Sequence, residues 1–105
     1  MSDSVLLSIA DQVATLTLNR VRAQNAFDLS TCEAFLSVLD GVTRDESVRV
    51  VVITANGPSF SAGGDFNWVL TWPGQAPQVS KDGALAITRV VQAIYDLPKP
   101  SIASV

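Results

Sequence analysis

VVVITANGPSFSAGGDF, residues Val50 to Phe66, passes from four β-branched residues through a turn to the chain's only adjacent glycines. Val50 to Ile53 is apolar on both faces, which suits a strand covered on each side within a parallel sheet and places it centrally. Thr54 to Ser59 is turn chemistry, so Gly63 and Gly64 lie just beyond the carboxyl end of a buried strand, where open α/β sheets bind ligands. Two readings of the glycines stay open at this point. They make a tight turn, because residues without Cβ tolerate positive φ, or they leave a main-chain N–H free for close approach by a ligand.

Upstream, Val5 to Ile9 and Val13 to Leu18 are short apolar runs, the second alternating Ala14, Leu16 and Leu18 against Val13, Thr15 and Thr17, and together they predict a β-hairpin. Asn19 to Phe27 is polar and aperiodic, a loop that enters a helix at Asp28, a good N-cap. Leu29, Cys32, Phe35, Leu36, Leu39 and Val42 recur at helical spacing, predicting a helix over 29–44, with Ser30 and Glu33 placed for a capping box if it starts one turn later. Downstream, Phe66 to Trp72 predicts a short helix with Trp68 and Trp72 as packing residues, stopped by Pro73-Gly74. Gly74 to Lys81 reads as a polar surface loop, and Ala84, Ile87, Val90, Val91 and Ile94 mark an amphipathic helix closed by Asp96 to Pro100. Ser101 to Val105 begins a further strand, completing a strand–helix–strand unit.

The bulk properties bound what such a chain does. At 105 residues it is one domain or part of one, and its 48% hydrophobic content predicts a packed core rather than disorder. A net charge of −3 without a Lys/Arg cluster argues against a nucleic-acid partner. Cys32 is the only cysteine and histidine is absent, so an internal disulfide, a Cys/His metal site and a Cys/His nucleophile pair all drop out, and Cys32 reads as a small buried apolar residue. MSDSVLL carries Asp3 where a secretory signal carries positive charge, and no run approaches the ~20 apolar residues of a membrane span. A cytoplasmic location and no membrane partner are the expectation.

Asn19-Arg20-Val21-Arg22-Ala23-Gln24-Asn25-Ala26, a helix, a VVVIT strand, FSAGGDF, a second helix and LPKPSIASV follow one another in an order and spacing that resembles the enoyl-CoA hydratase/isomerase, or crotonase, family. The resemblance spans nearly the whole chain. It implies an α/β fold, the N-terminal portion of a crotonase-like ββα spiral, with residues 1–105 an incomplete domain. It also implies an acyl-CoA substrate, coenzyme A being part of that substrate, with no separate cofactor and no metal. The family stabilises an enolate-like oxyanion with two backbone N–H groups, and the residue before the loop's Asp, here Gly64, corresponds to the first donor. Arg22, Gln24 and Ala26 match the segment that contacts the adenine and phosphate part of coenzyme A, with Ala62, Asp65 and Phe66 on the loop side. Gln24 stands where the family usually has an apolar residue, and Asp65 reads equally as the cap of the following helix.

The family's second oxyanion donor and its catalytic glutamates follow the strand that LPKPSIASV begins. Glu33, in an early helix, and Glu46, in a loop before the central strand, do not take their place, so no general base is assigned. These 105 residues alone are therefore expected to be inactive, and to be marginally stable or to self-associate through the apolar strand Ser101 to Val105. Three readings follow: the amino-terminal part of a crotonase-fold enzyme acting on an acyl-CoA; a truncated, non-catalytic family member serving as a ligand-binding or subunit-association module; and a generic α/β domain whose glycines only turn.

Overall fold

A computed structural model describes residues 3–105; Met1 and Ser2, read above as part of the N-terminal segment, lie outside the described residues. The hairpin pairs β1 (Val5–Ala10) with β2 (Val13–Leu18) in antiparallel register, Val5 opposite Leu18 and Ala10 opposite Val13. Asp11 and Gln12 close it at φ 53° and 67°. Two consecutive positive φ values are what a two-residue primed turn requires, and its twist matches that of the flanking strands. Along β2 the expected alternation holds: Ala14, Leu16 and Leu18 are buried and Val13, Thr15 and Thr17 half-buried.

After a single 3₁₀ turn at Val21–Ala23 the chain enters α1 (Leu29–Arg44). Asp28 caps it, its carboxylate accepting from the Thr31 N–H at 2.8 Å, so the alternative capping box at Ser30 and Glu33 does not form. Thr31, Cys32, Phe35, Leu39 and Val42 form its buried stripe. At the far end Lys99 donates its ammonium to the Val42 and Asp45 carbonyls at 2.9 and 2.6 Å, satisfying acceptors that a helix terminus leaves open.

β3 (Val50–Ala55) lies between β2 and β4 (Ser101–Ala103), parallel to both, in a sheet ordered β1-β2-β3-β4. The central placement matches the sequence reading. Coverage of both faces does not: Val51 and Ile53 are buried beneath the helices, whereas Val50 and Val52 on the opposite face are only half-buried.

The second half departs from the sequence reading in three respects. The short helix α2 (Phe66–Val69) ends earlier than Trp72, and Leu70 to Gln75 turn the chain. The expected loop 74–81 is shorter, because α3 (Pro77–Tyr95) starts at Pro77, a residue whose fixed φ and missing N–H suit a first helical position. The apolar stripe of α3 holds in part: Val90 is buried and Ile87 and Ile94 pack half-buried against the core, joined by the buried Gly83 and Ala86, while Ala84 is exposed and Val91 is 63% exposed. Gly83 accounts for the extra contact on this side. The Trp72 ring lies against it, and a Cβ there would stand 2.8 Å from Trp72 Cε2, so only glycine lets α3 approach along this line. Trp68 packs on the core and meets Trp72 edge-on, centroids 5.2 Å apart, in the packing role read for this pair. Trp72 Nε1 is buried without a hydrogen-bond partner among the described residues.

The core joins the inner face of β2 and β3 to α1 and to the buried side of α3, with Leu16, Phe35, Val42, Val51 and Cys32 almost fully enclosed. Burial pushes the Cys32 thiol up to about 11, with the nearby Asp28 and Glu33 charges adding to it, as fits the inert apolar role read for it.

Candidate functional site

Loops that follow β2 and β3 run side by side. Ala62 N–H donates to the Gln24 carbonyl at 3.0 Å, Phe27 N–H to the Gly63 carbonyl at 2.7 Å, and Asp65 N–H to the Phe27 carbonyl at 2.8 Å. The last two make Phe27 and Gly64 a parallel β-bridge. In such a bridge the peptide groups flanking the glycine face its partner, so Gly64's own N–H and C=O face away from Phe27. Among the described residues that N–H has no hydrogen-bond partner.

Gly63 has φ 90°, a conformation that penalises any Cβ, and here the turn reading of the glycines holds. Gly64 is different: a Cβ on it would come 3.1 Å from Ile87 Cδ1. Gly63 thus bends the chain, and Gly64 lets the loop lie close to α3.

Beside them opens an apolar pocket of about 300 Å³. Leu18, Ile53 and Ala103, at or near the carboxyl ends of three parallel strands, line its base, and Phe27, Phe60 and Ile87 line its sides. Phe27 meets Phe35 edge-on at 5.8 Å and holds that wall. On α3, Ile87, packed half-buried against the core, and the exposed Val91 both line this pocket. No residue lining it titrates. Glu33 and Glu46 are both exposed, on α1 and in the turn before β3, and neither lines it.

The structure brings some of the sequence-derived site residues together and leaves others apart. Gln24, at φ 54°, is joined to Ala62 through the backbone, and Ala26 is buried beside them. Arg22 is exposed and its guanidinium makes no ion pair or hydrogen bond among the described residues. Phe66 is 70% exposed. Asp65 is buried and engaged on both oxygens: Oδ1 accepts from the Asn67 and Trp68 N–H groups at 2.9 and 3.3 Å, capping α2, and Oδ2 accepts from Arg20 Nη1 at 3.1 Å.

Two residues that sequence reasoning left unassigned organise this region. Asn25 is buried, and its Nδ2 donates to the Asn56 and Ser59 carbonyls at 2.9 and 2.8 Å while its Oδ1 accepts from the Arg20 N–H at 2.7 Å. Arg20 is the second. Its guanidinium pairs with Asp65 and also reaches Asp28 Oδ2 at 3.4 Å. Burial raises the Asp28 carboxyl, but the Thr31 hydrogen bonds and the Arg20 charge outweigh it and hold the group below the ordinary carboxylate value. The signal for Asn25 was its type, since Asn tolerates the left-handed region it occupies at φ 56°.

Comparison with known proteins agrees with the fold. A family profile described as enoyl-CoA hydratase/isomerase matches residues 8–105. The chain is 33% identical over 107 residues to trans-2-decenoyl-acyl-carrier-protein isomerase of Streptococcus mutans, covering 95% of this chain and 38% of that protein. It is 32% identical over 106 residues to 1,2-epoxyphenylacetyl-CoA isomerase of Escherichia coli, covering 100% of this chain and 40% of that protein. An enoyl-CoA hydratase/isomerase structure from Xanthobacter autotrophicus superimposes with a TM-score of 0.92 at 25% identity, over 100% of this chain and 39% of that one. The chain thus spans about two-fifths of the length of these relatives.

Proposed function

Because this chain belongs to the enoyl-CoA hydratase/isomerase family, we propose that its apolar pocket receives the acyl part of a coenzyme A thioester, with the Gly64 N–H donating to the thioester carbonyl. The unpartnered Gly64 N–H at the rim of that pocket is the observation that carries this reading. A thioester carbonyl gains negative charge as its α-carbon becomes enolate-like. A fixed backbone donor in apolar surroundings favours that charged state over the ground state, and one such donor contributes on the order of 3 kcal/mol in enzymes where it has been removed. The exposed Arg22 offers an unpaired cation to a phosphate, and Gln24, Ala26, Ala62, Asp65 and Phe66 complete the proposed coenzyme A side, Asp65 acting through the backbone it holds.

The absence of a titrating residue in the pocket lining favours a second reading for these 105 residues, a module that binds the thioester without turning it over. One titration addresses both. With crotonyl-CoA the Gly64 amide resonance shifts, with coenzyme A alone it stays, and Gly64→Pro, which deletes the donor, weakens crotonyl-CoA binding by roughly tenfold, the worth of one hydrogen bond to a polarised oxygen. An unmoved Gly64 amide at saturating crotonyl-CoA removes the donor role.

A further inference from the structure

We infer that Arg20 is the positioning residue for the Gly64 donor, a proposal that rests on the thioester reading above. Gly63 and Gly64 are the least constrained residue type, so nothing in their own side chains aims the Gly64 N–H. Its direction comes from the neighbours: the Phe27 N–H holds the Gly63 carbonyl of the same peptide at 2.7 Å, and Asp65 holds the other side of the glycine. Asp65, the next residue, is held on three sides: its N–H donates to Phe27, its Oδ1 takes the first N–H groups of α2, and its Oδ2 takes Arg20. The first two bonds are local or lie on the adjoining loop. The third is the side-chain bond that reaches across 45 residues, to the start of the loop whose end, Phe27, holds the Asp65 N–H.

Arg20 is itself fixed. Its backbone N–H donates to Asn25 Oδ1, and Nη1 donates to the Ala26 carbonyl at 2.5 Å as well as to Asp65, while Nη2 faces Asp28. Its side chain is 24% exposed and that of Asp65 13%, so water screens this pair less than a surface pair. A planar guanidinium serves three acceptors in different directions at once, which a single ammonium does not. Arg20 thus ties Asp28 at the start of α1, Ala26 in the first loop and Asp65 in the second into one rigid unit, with the Gly64 peptide set between two of its anchors.

Nuclear magnetic resonance on the full chain tests this in two arms. Without ligand, Arg20→Met and Arg20→Lys move the Gly64 and Asp65 amide resonances, and the Asp65 N–H loses at least tenfold of its exchange protection in Arg20→Met and less in Arg20→Lys, while Gly41 and Gly74, remote from the network, stay in place. With crotonyl-CoA, Arg20→Met binds roughly tenfold more weakly, with Arg20→Lys between it and the parent. Asp65→Asn keeps the helix-capping oxygen but loses the charge, and gives the same Gly64 shift should Arg20→Met fail to fold. Variants that melt at lower temperature yet leave the Gly64 and Asp65 signals unmoved overturn the inference. A parent chain whose Gly64 amide ignores crotonyl-CoA overturns the thioester reading instead, and the ligand-free arm still decides whether Arg20 positions the loop.

Discussion

Gly64 packs closely against Ile87: a Cβ added at 64 would lie 3.1 Å from Ile87 Cδ1, tighter than an ordinary contact. The contact is between the site loop and α3, so a methyl group at 64 crowds the pocket and pushes on the helix. Gly64→Ala is expected to destabilise the fold by about 1 kcal/mol, the low end for overpacking, because the opposing atom is the end of a flexible chain. Ile87→Val removes that atom. Denaturant titration should show the double variant Gly64→Ala/Ile87→Val less destabilised than the sum of the single changes; strict additivity counts against the contact.

Gly83 makes the stronger prediction. A Cβ there meets the rigid Trp72 ring rather than a flexible tip, and either the ring or α3 has to move. Gly83→Ala should lower stability by about 2 kcal/mol despite the better helix propensity of Ala, and tryptophan fluorescence should shift as Trp72 is displaced. A Gly83→Ala variant more stable than the parent would show that the helix sits elsewhere.

Asp28 should contribute to the acid sensitivity of the fold. Its carboxyl titrates lower in the folded chain than when unfolded, where about 3.9 is ordinary, so its contribution is complete above that value and is lost as pH falls through the lower folded value. Asp28→Asn keeps a capping acceptor without the titration, and its stability should fall less than that of the parent between about pH 4 and pH 2. Thermal melts across that range check it; parallel curves assign the acid response to other carboxylates.

Crotonyl-CoA hydration should stay at background with these 105 residues alone. General acid–base groups supply typically 10²–10⁴-fold, and no residue lining the pocket titrates. Loss of enoyl-thioester absorbance is the measurement. Saturable turnover that vanishes in Gly64→Pro would place a carboxylate at the site by a route this fold does not show.

Self-association should rise with concentration. β4 pairs with β3 on one side, all three of its residues are exposed, and Ile102 (55%) shares an outer sheet face with Leu6 (39%). An edge strand and an apolar face together favour pairing between copies. Size-exclusion chromatography should show elution moving to larger size over a hundredfold concentration range, and a constant monomer position argues otherwise.

Local pattern determined much of this protein. The period-2 alternation of Ala14, Leu16 and Leu18, the 3.6-residue stripe from Cys32 to Val42, the β-branched run at Val50 to Ile53 and the glycines beyond its end can each be read from neighbouring residues, because backbone geometry dictates which of them share a face. What only the tertiary structure decided depends on partners far away in the chain. How closely α3 meets the core follows from Trp72 settling on Gly83, and the half-buried pairing of Arg20 follows from Asp65 arriving beside it. Periodicity carries no record of such pairings: a residue's spacing to its neighbours fixes its face, but the topology of the sheet brings residues 20 and 65 together.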